Sequence, residues 1–331
     1  MFQLNFNMSA ATLLFHRRPY SSAPLVPPHE DTTTPLPTSA EPLGRPLPLD
    51  EHACSVSLPT WDSVVGYEEG NVSITSKLRC GYPRFVYHPY ILQLKEYAVE
   101  QYGNQQQDCL ILPSADAAAR CQAFMHLALH GKATIDNALV SAQDMDDVTS
   151  QITTVALAND VHAVLFPAET LAGMEAKAYW QHTGEVVSSR RAEAALHELG
   201  LTVNRVTTVE DSKTSNATPP RAPIICHPSD QKCPSVYDKL KERISSLTKV
   251  PPSYVHLVPS GMASIYTALR SSRRLKGLDD KQNGGTSIVF GFPYLDTLKL
   301  CSRTEFCPGG VEFFGHGDAD DLNKLQQLLS S

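Results

Sequence analysis

Three short words in this chain have the residue types and spacing to do chemistry. The first is Ser260-Gly261-Met262, where an apolar run over 254–258 reads as a strand and the residues from Met262 onward read as a helix. A strand-to-helix turn aims backbone N–H groups at one point, and the helix dipole favours negative charge there. With the Ser260 hydroxyl added, this suits an anion, most naturally a phosphate. An ordinary turn in which glycine permits the geometry is the plain alternative, and pattern alone leaves both open.

The second word is Phe292-Pro-Tyr294, at the C-terminal end of the next expected strand. In parallel α/β sheets that end lines the ligand crevice, so Tyr294 could stack on a flat ring whose phosphate sits at Ser260. A packed aromatic at a strand end is the simpler reading. The third is Gly81-Tyr-Pro-Arg-Phe85. Tyr82 and Arg84, two apart in an extended segment, leave on one side and offer a hydroxyl and a guanidinium to one anion. A surface loop with an incidental arginine competes with that reading.

Other chemistries find less support. His126 and His130 have the spacing of metal ligands on a helix, but no Glu follows His126 and no third ligand is near, so no metal is expected. There is no Gly-x-Ser-x-Gly elbow, no Walker lysine and no dinucleotide-type glycine fingerprint. Twenty-eight basic against thirty-five acidic residues give a net charge of −7, which argues against nucleic acid as a partner. No apolar run approaches the roughly 18 residues of a membrane span. Eight cysteines without a Cys-x-x-Cys pair read as reduced thiols, and the expected compartment is cytoplasmic. Asn71-Val-Ser73 and Asn216-Ala-Thr218 then match the glycosylation pattern by chance. Arg17, Arg18, Ser21 and Ser22 faintly suggest a transit peptide, but dense proline through Pro48 reads as a disordered tail.

The elements that must position these residues alternate in type. Helices are expected over 91–102, 115–129 (stopping at Gly131), 169–181 and 189–199, the last closed by Gly200. Strands are expected over 109–112, 161–166, 254–258, 287–292 and 311–314. The helix from Met262 places Met262, Ile265, Tyr266 and Leu269 on one face and basic residues near its C-terminal end. Asp318 or Asp320 caps a final helix. This alternation predicts an α/β fold with a parallel sheet flanked by helices. The chain divides into a Pro-rich tail (1–53), an N-terminal segment (54–206), a flexible linker rich in Ser, Thr, Asp and Pro (207–223) and a last unit (224–331).

Together the words resemble one family, the fold-type I pyridoxal-phosphate enzymes of cysteine and methionine metabolism, and within it the fungal cystathionine gamma-synthases. The resemblance is carried by Ser57-Leu-Pro-Thr-Trp61, Val65-Gly-Tyr-Glu-Glu-Gly70, Gly81-Tyr-Pro-Arg-Phe85, Tyr179-Trp-Gln-His-Thr-Gly-Glu-Val-Val-Ser-Ser-Arg190, Pro259-Ser-Gly-Met-Ala-Ser-Ile265 and Phe290-Gly-Phe-Pro-Tyr-Leu-Asp-Thr297. It covers about residues 54 to 329 and looks like the N-terminal portion of the family.

The resemblance implies pyridoxal 5'-phosphate as cofactor. Ser260, Gly261 and Met262 would hold its phosphate and Tyr294 would stack on its ring. Tyr82 and Arg84 would reach the phosphate of a neighbouring subunit, which implies a homo-oligomer at full length. The implied reaction is γ-replacement, in which cysteine sulfur displaces the acyloxy group of O-acetyl- or O-succinylhomoserine to form cystathionine.

Two departures stand out. Well over a hundred residues separate the Tyr-x-Arg loop from Ser-Gly-Met, an insertion that fungal members share. The Schiff-base lysine and the carboxylate at the pyridinium nitrogen should both follow the sequence given. After Met262 the lysines are 276, 281, 299 and 324, none in a Ser/Thr-Lys pair after a strand. The expectation is therefore a chain without its catalytic lysine, incomplete at the C-terminus. Such a chain is either half of an enzyme or a non-catalytic partner of a full-length relative.

Overall fold

The computed structural model describes residues 42–80, 86–135, 142–158, 160–206, 232–278 and 284–330. Strand β1 (Pro46–Leu47) pairs antiparallel with β2 (Ser55–Val56), and short helices α1 (Trp61–Glu68) and α2 (Val72–Thr75) follow. Next come α3 (Pro89–Tyr102), β3 (Gln107–Leu112), α4 (Ala115–Ile135), α5 (Ala142–Ser150), β4 (Thr153–Ala158), β5 (Val161–Pro167), α6 (Leu171–Thr183) and α7 (Ser189–Glu198). The remainder holds α8 (Lys232–Thr248), a 3-10 turn (Pro252–Tyr254), α9 (Gly261–Leu275), β6 (Ser287–Phe290), α10 (Leu295–Ser302), β7 (Val311–Phe314) and α11 (Ala319–Ser330).

The larger sheet runs β3-β5-β4, wholly antiparallel, with Cys109 opposite Leu165 and Val155 opposite Ala163. Alternation along its strands sends residues to two different cores. Leu110, Leu112, Val164 and Phe166 pack with α4 and α6, while Cys109, Ile111, Ala163 and Leu165 pack with α3 and α7. The helices begin where side chains can replace missing backbone partners. His88 Nδ1 accepts from Tyr90 N ahead of Pro89, and Thr170 and Ser188 cap α6 and α7. The β1–β2 hairpin is seated on this sandwich by Glu51, whose carboxylate accepts from Tyr90 Oη and from Val206 N.

The second region has the parallel grammar: β6 lies parallel to β7, with Ser287 opposite Val311 and Phe290 opposite Phe314. Helices α9 and α10 meet in a small core of Met262, Tyr266 and Leu300. Phe306 joins both cores, stacked on Phe124 at 4.8 Å and edge-on to Tyr266 at 5.4 Å. Among the described residues no helix is long and apolar enough to cross a membrane, and the described cysteines (54, 80, 109, 121, 301 and 307) are free thiols.

The mixed α/β organisation is the expected one, with several local differences. The run 254–258 forms no strand. Pro251 and Pro252 start a 3-10 turn, and the extended residues after it find no ladder partner among the described residues. Helix α4 runs through Gly131, where a side chain would meet open space, so no packing demand stops the helix there. Strand β4 and helices α1, α2, α5 and α8 were not anticipated. The fold also takes in the chain from residue 42, so the tail expected to end at 53 is shorter than the proline content suggests. The linker expected over 207–223 lies outside the described residues, as does the segment before 42.

Candidate functional site

Helix α9 starts at a side-chain cap. Ser260 has extended backbone (φ −149°, ψ 164°), and its Oγ accepts from Ala263 N at 3.1 Å, while its carbonyl accepts from Ser264 N at 3.1 Å. The first turn of any helix leaves N–H groups without intrahelical partners. Here that leaves, among the described residues, the N–H groups of Gly261 and Met262 for an outside acceptor. Gly261 is exposed, and a Cβ built on it meets nothing within 4 Å. The Ser260 hydroxyl proton points elsewhere than expected: it goes to the carbonyl of Gly184 at 3.1 Å.

Gly184 closes α6 in the left-handed region (φ 63°, ψ 11°). It is also a point of close approach, because a Cβ there would lie 2.3 Å from Ser260 Oγ, 2.8 Å from Ala263 N and 2.9 Å from Met262 Cβ. The next residue, Glu185, is buried and grips Arg120 through two bonds, Nε at 3.1 Å and Nη2 at 2.6 Å. Tyr179 Oη donates to the same carboxylate at 2.6 Å, and Tyr179 in turn touches Tyr266 of α9. Burial, with Glu185's charge adding to it, holds the Tyr179 hydroxyl well above the ordinary phenol range. The same two causes push Tyr266 up to about 12, so both hydroxyls keep their protons. Along the same word, Trp180 stacks on Tyr87 at 4.1 Å. Burial, then Arg303, lowers the His182 pKa, and its buried Nδ1 has no hydrogen-bond partner among the described residues.

Tyr294 sits half-exposed at the N-cap of α10. The structure brings this helix start to that of α9. Thr297 Oγ1, one turn beyond Tyr294, lies 3.8 Å from the sulfur of Met262, and Leu300 packs on Met262 and Tyr266. Tyr82 and Arg84 lie outside the described residues. So does Lys281. Lys276 caps the far end of α9, Lys299 lies within α10, and Lys324 pairs with Asp321 at 3.3 Å. No group of three or more metal-ligating side chains occurs among the described residues. Gly184, Glu185 and Arg120 were not singled out from the sequence. Two of them lie in the Tyr179–Arg190 word, where the resemblance alone could have flagged them.

A family model described as the N-terminal domain of fungal trans-sulfuration enzymes matches residues 90–188, from α3 to the N-cap of α7. A cystathionine gamma-synthase of Saccharomyces cerevisiae is 27% identical over 87% of this chain and 59% of its own length. The chain is thus similar to the cystathionine gamma-synthase family. A cystathionine gamma-synthase of Neurospora crassa is also 27% identical, over 87% of this chain and 58% of the relative. The L-2-amino-4-chloropent-4-enoate dechlorinase/desaturase of Streptantibioticus cattleyicolor is 32% identical over 88% of this chain and 48% of its own. The chain thus spans about half to three-fifths of the length of these relatives. No solved structure matches. Enzymes of this family use pyridoxal 5'-phosphate and are α/β proteins of fold type I.

Proposed function

We propose that the start of α9 and the start of α10 form the phosphate-and-ring half of a pyridoxal 5'-phosphate site. The reaction it serves is the γ-replacement of a cystathionine gamma-synthase, O-acylhomoserine and cysteine giving cystathionine. The observation that carries this is the pairing of a Ser260-capped helix start with a half-exposed Tyr294, through the Met262–Thr297 and Met262–Leu300 contacts.

When bound, the cofactor supplies an electron sink for bond changes in an amino acid. The chain's own residues do the rest of what is proposed here. The N–H groups of Gly261 and Met262 bind the phosphate, helped by the positive end of α9, and Ser260 fixes their direction through its bond to Gly184. Tyr294 offers a ring face. Tyr82 and Arg84 reach the phosphate of a neighbouring subunit, making the active assembly an oligomer of cytoplasmic location. Residues 54–206 are an N-terminal segment with a family-specific insertion, and 224–331 are the start of the cofactor-binding large domain. The relative named for a 4-chloro substrate supports a leaving group on the γ carbon.

The second reading is a chain that binds the phosphate without catalysis, as a partner of a full-length relative. It is favoured by the described lysines after Met262: Lys276 sits at the end of a helix, and Lys299 and Lys324 lie within helices. Titrating purified 1–331 with pyridoxal 5'-phosphate tests both readings. The expected result is a shift of the Gly261 and Met262 amide signals, with no borohydride-trapped adduct at any single lysine. A stoichiometric adduct at one lysine would place a Schiff-base lysine in the chain and overturn the reading without catalysis. Unmoved Gly261 and Met262 signals would remove the phosphate site.

A further inference from the structure

The donors proposed to hold a phosphate sit on α9, but what fixes their direction comes from the sandwich. Ser260 Oγ, which accepts from Ala263 N in the first turn of α9, gives its own proton to the carbonyl of Gly184 at 3.1 Å. Gly184 admits the turn because it has no side chain: a Cβ would stand 2.3 Å from Ser260 Oγ and 2.8 Å from Ala263 N, closer than such atoms approach. Gly184 is itself fixed from behind. Its neighbour Glu185 is tied to α4 by two bonds from Arg120 and to α6 by Tyr179, while Thr183 Oγ1 donates to Tyr179 O at 2.8 Å.

We propose that Gly184 and Glu185 are positioning residues for the α9 N-terminus: Glu185 anchors the α6 end, and Gly184 sets the direction of the Ser260 cap and so of the Gly261 and Met262 N–H groups. The functional part of this inference rests on the phosphate reading of that turn. It departs from that reading by assigning control of the site to a pair of residues in the N-terminal domain, 76 positions before Ser260 in the case of Gly184.

The test uses the full chain and two readouts. Amide hydrogen exchange without ligand reports whether the Ser260 cap is held, at Ala263 and Ser264. Titration with inorganic phosphate, followed at Gly261 and Met262, reports the site itself. Gly184→Ala should speed Ala263 exchange and weaken phosphate binding by about tenfold each. Glu185→Gln keeps an acceptor for Tyr179 but loses the charge that grips Arg120, and should give a smaller change in the same direction. Gly200→Ala is the control. Gly200 also follows a helix in the left-handed region (φ 71°) but faces open space, so it carries the same backbone strain without the contact.

Faster Ala263 exchange in both variants at positions 184 and 185, but not in Gly200→Ala, supports the assignment. Wild-type exchange in the Gly184 and Glu185 variants, or an equal effect from Gly200→Ala, overturns it. If Gly184→Ala fails to fold, Glu185→Gln alone decides. Faster exchange with no phosphate shift in any protein, wild type included, supports the positioning role and removes the phosphate reading instead.

Discussion

The two regions of this molecule treat apolar surface differently. Between 86 and 206 a three-stranded antiparallel sheet is covered on both faces, by α4 and α6 on one side and α3 and α7 on the other, and its central strand is almost wholly buried. Between 232 and 330 a two-stranded parallel pair leaves Ile288, Phe290 and Phe313 partly in water, and the core beneath α9 and α10 is a handful of side chains. The difference teaches where precision comes from. The helices bearing the candidate site do not hold themselves in place through their own core. Contacts with the sandwich do it: Ser260 to Gly184, Arg303 to Glu175 and Phe306 to Phe124.

The same substitution in each region should expose this contrast most sharply. Leu165→Ala, at a fully buried position of β5, should cost about 4 kcal/mol, since little around it can collapse into the gap. Leu300→Ala, equally buried but in the small cluster, should cost about 2 kcal/mol, because α10 can shift to close the void. Urea denaturation of both variants checks the ranking, and equal losses would mean the two cores are equally rigid.

A step smaller is the ion pair that joins the regions. Arg303, just past α10, binds Glu175 of α6 at 2.5 Å and Glu305 at 2.7 Å, with Glu175 almost completely buried. Arg303→Ala should cost roughly 3 kcal/mol, since it withdraws a guanidinium from a buried carboxylate. It should also loosen α10 ahead of α7, which hydrogen exchange would resolve. Uniform loosening of both helices would deny that this contact is a regional joint.

The smallest effect distinguishes the regions by pH. Burial lowers the His88 pKa from 6.5 to about 4, only partly offset by its 2.8 Å bond to the Glu51 carbonyl. The unfolded chain therefore binds a proton between pH 6.5 and 4 that the folded chain refuses. His88's contribution is full above 6.5 and is lost as pH falls toward 4. His88→Asn should flatten stability against pH in that window. An unchanged slope would move its origin to other groups.

How much of this could be read from the sequence follows from the range of each interaction. Helices α6 and α7 were legible because their caps and apolar periodicity are local, and β7 because a short β-branched and aromatic run has few alternatives. The turn at Ser260 was legible as a helix start for the same reason. Strand β4 was not, since Thr153–Ala158 is an edge whose outward residues are small or polar and whose identity depends on pairing with β5. The mistaken strand at 254–258 is the converse case: apolar residues were present, but no ladder partner for them lies among the described residues. Nothing local marks Glu185 as the partner of Arg120, because 65 residues separate them. The Ser260–Gly184 bond spans more still, so the hydroxyl looked available for a ligand when it was already engaged.

The shared ring of Phe306 has a consequence for how the molecule is made. It is packed at once against Phe124 of α4 and Tyr266 of α9, so the turn after α10 cannot reach its final place until a slot exists to receive it. A ribosome delivers α4 and α6 long before that turn, and domains tend to form in order of emergence. Where the sandwich folds as it emerges, synthesis presents the later helices to a formed surface, and the late-arriving ring packs them against it.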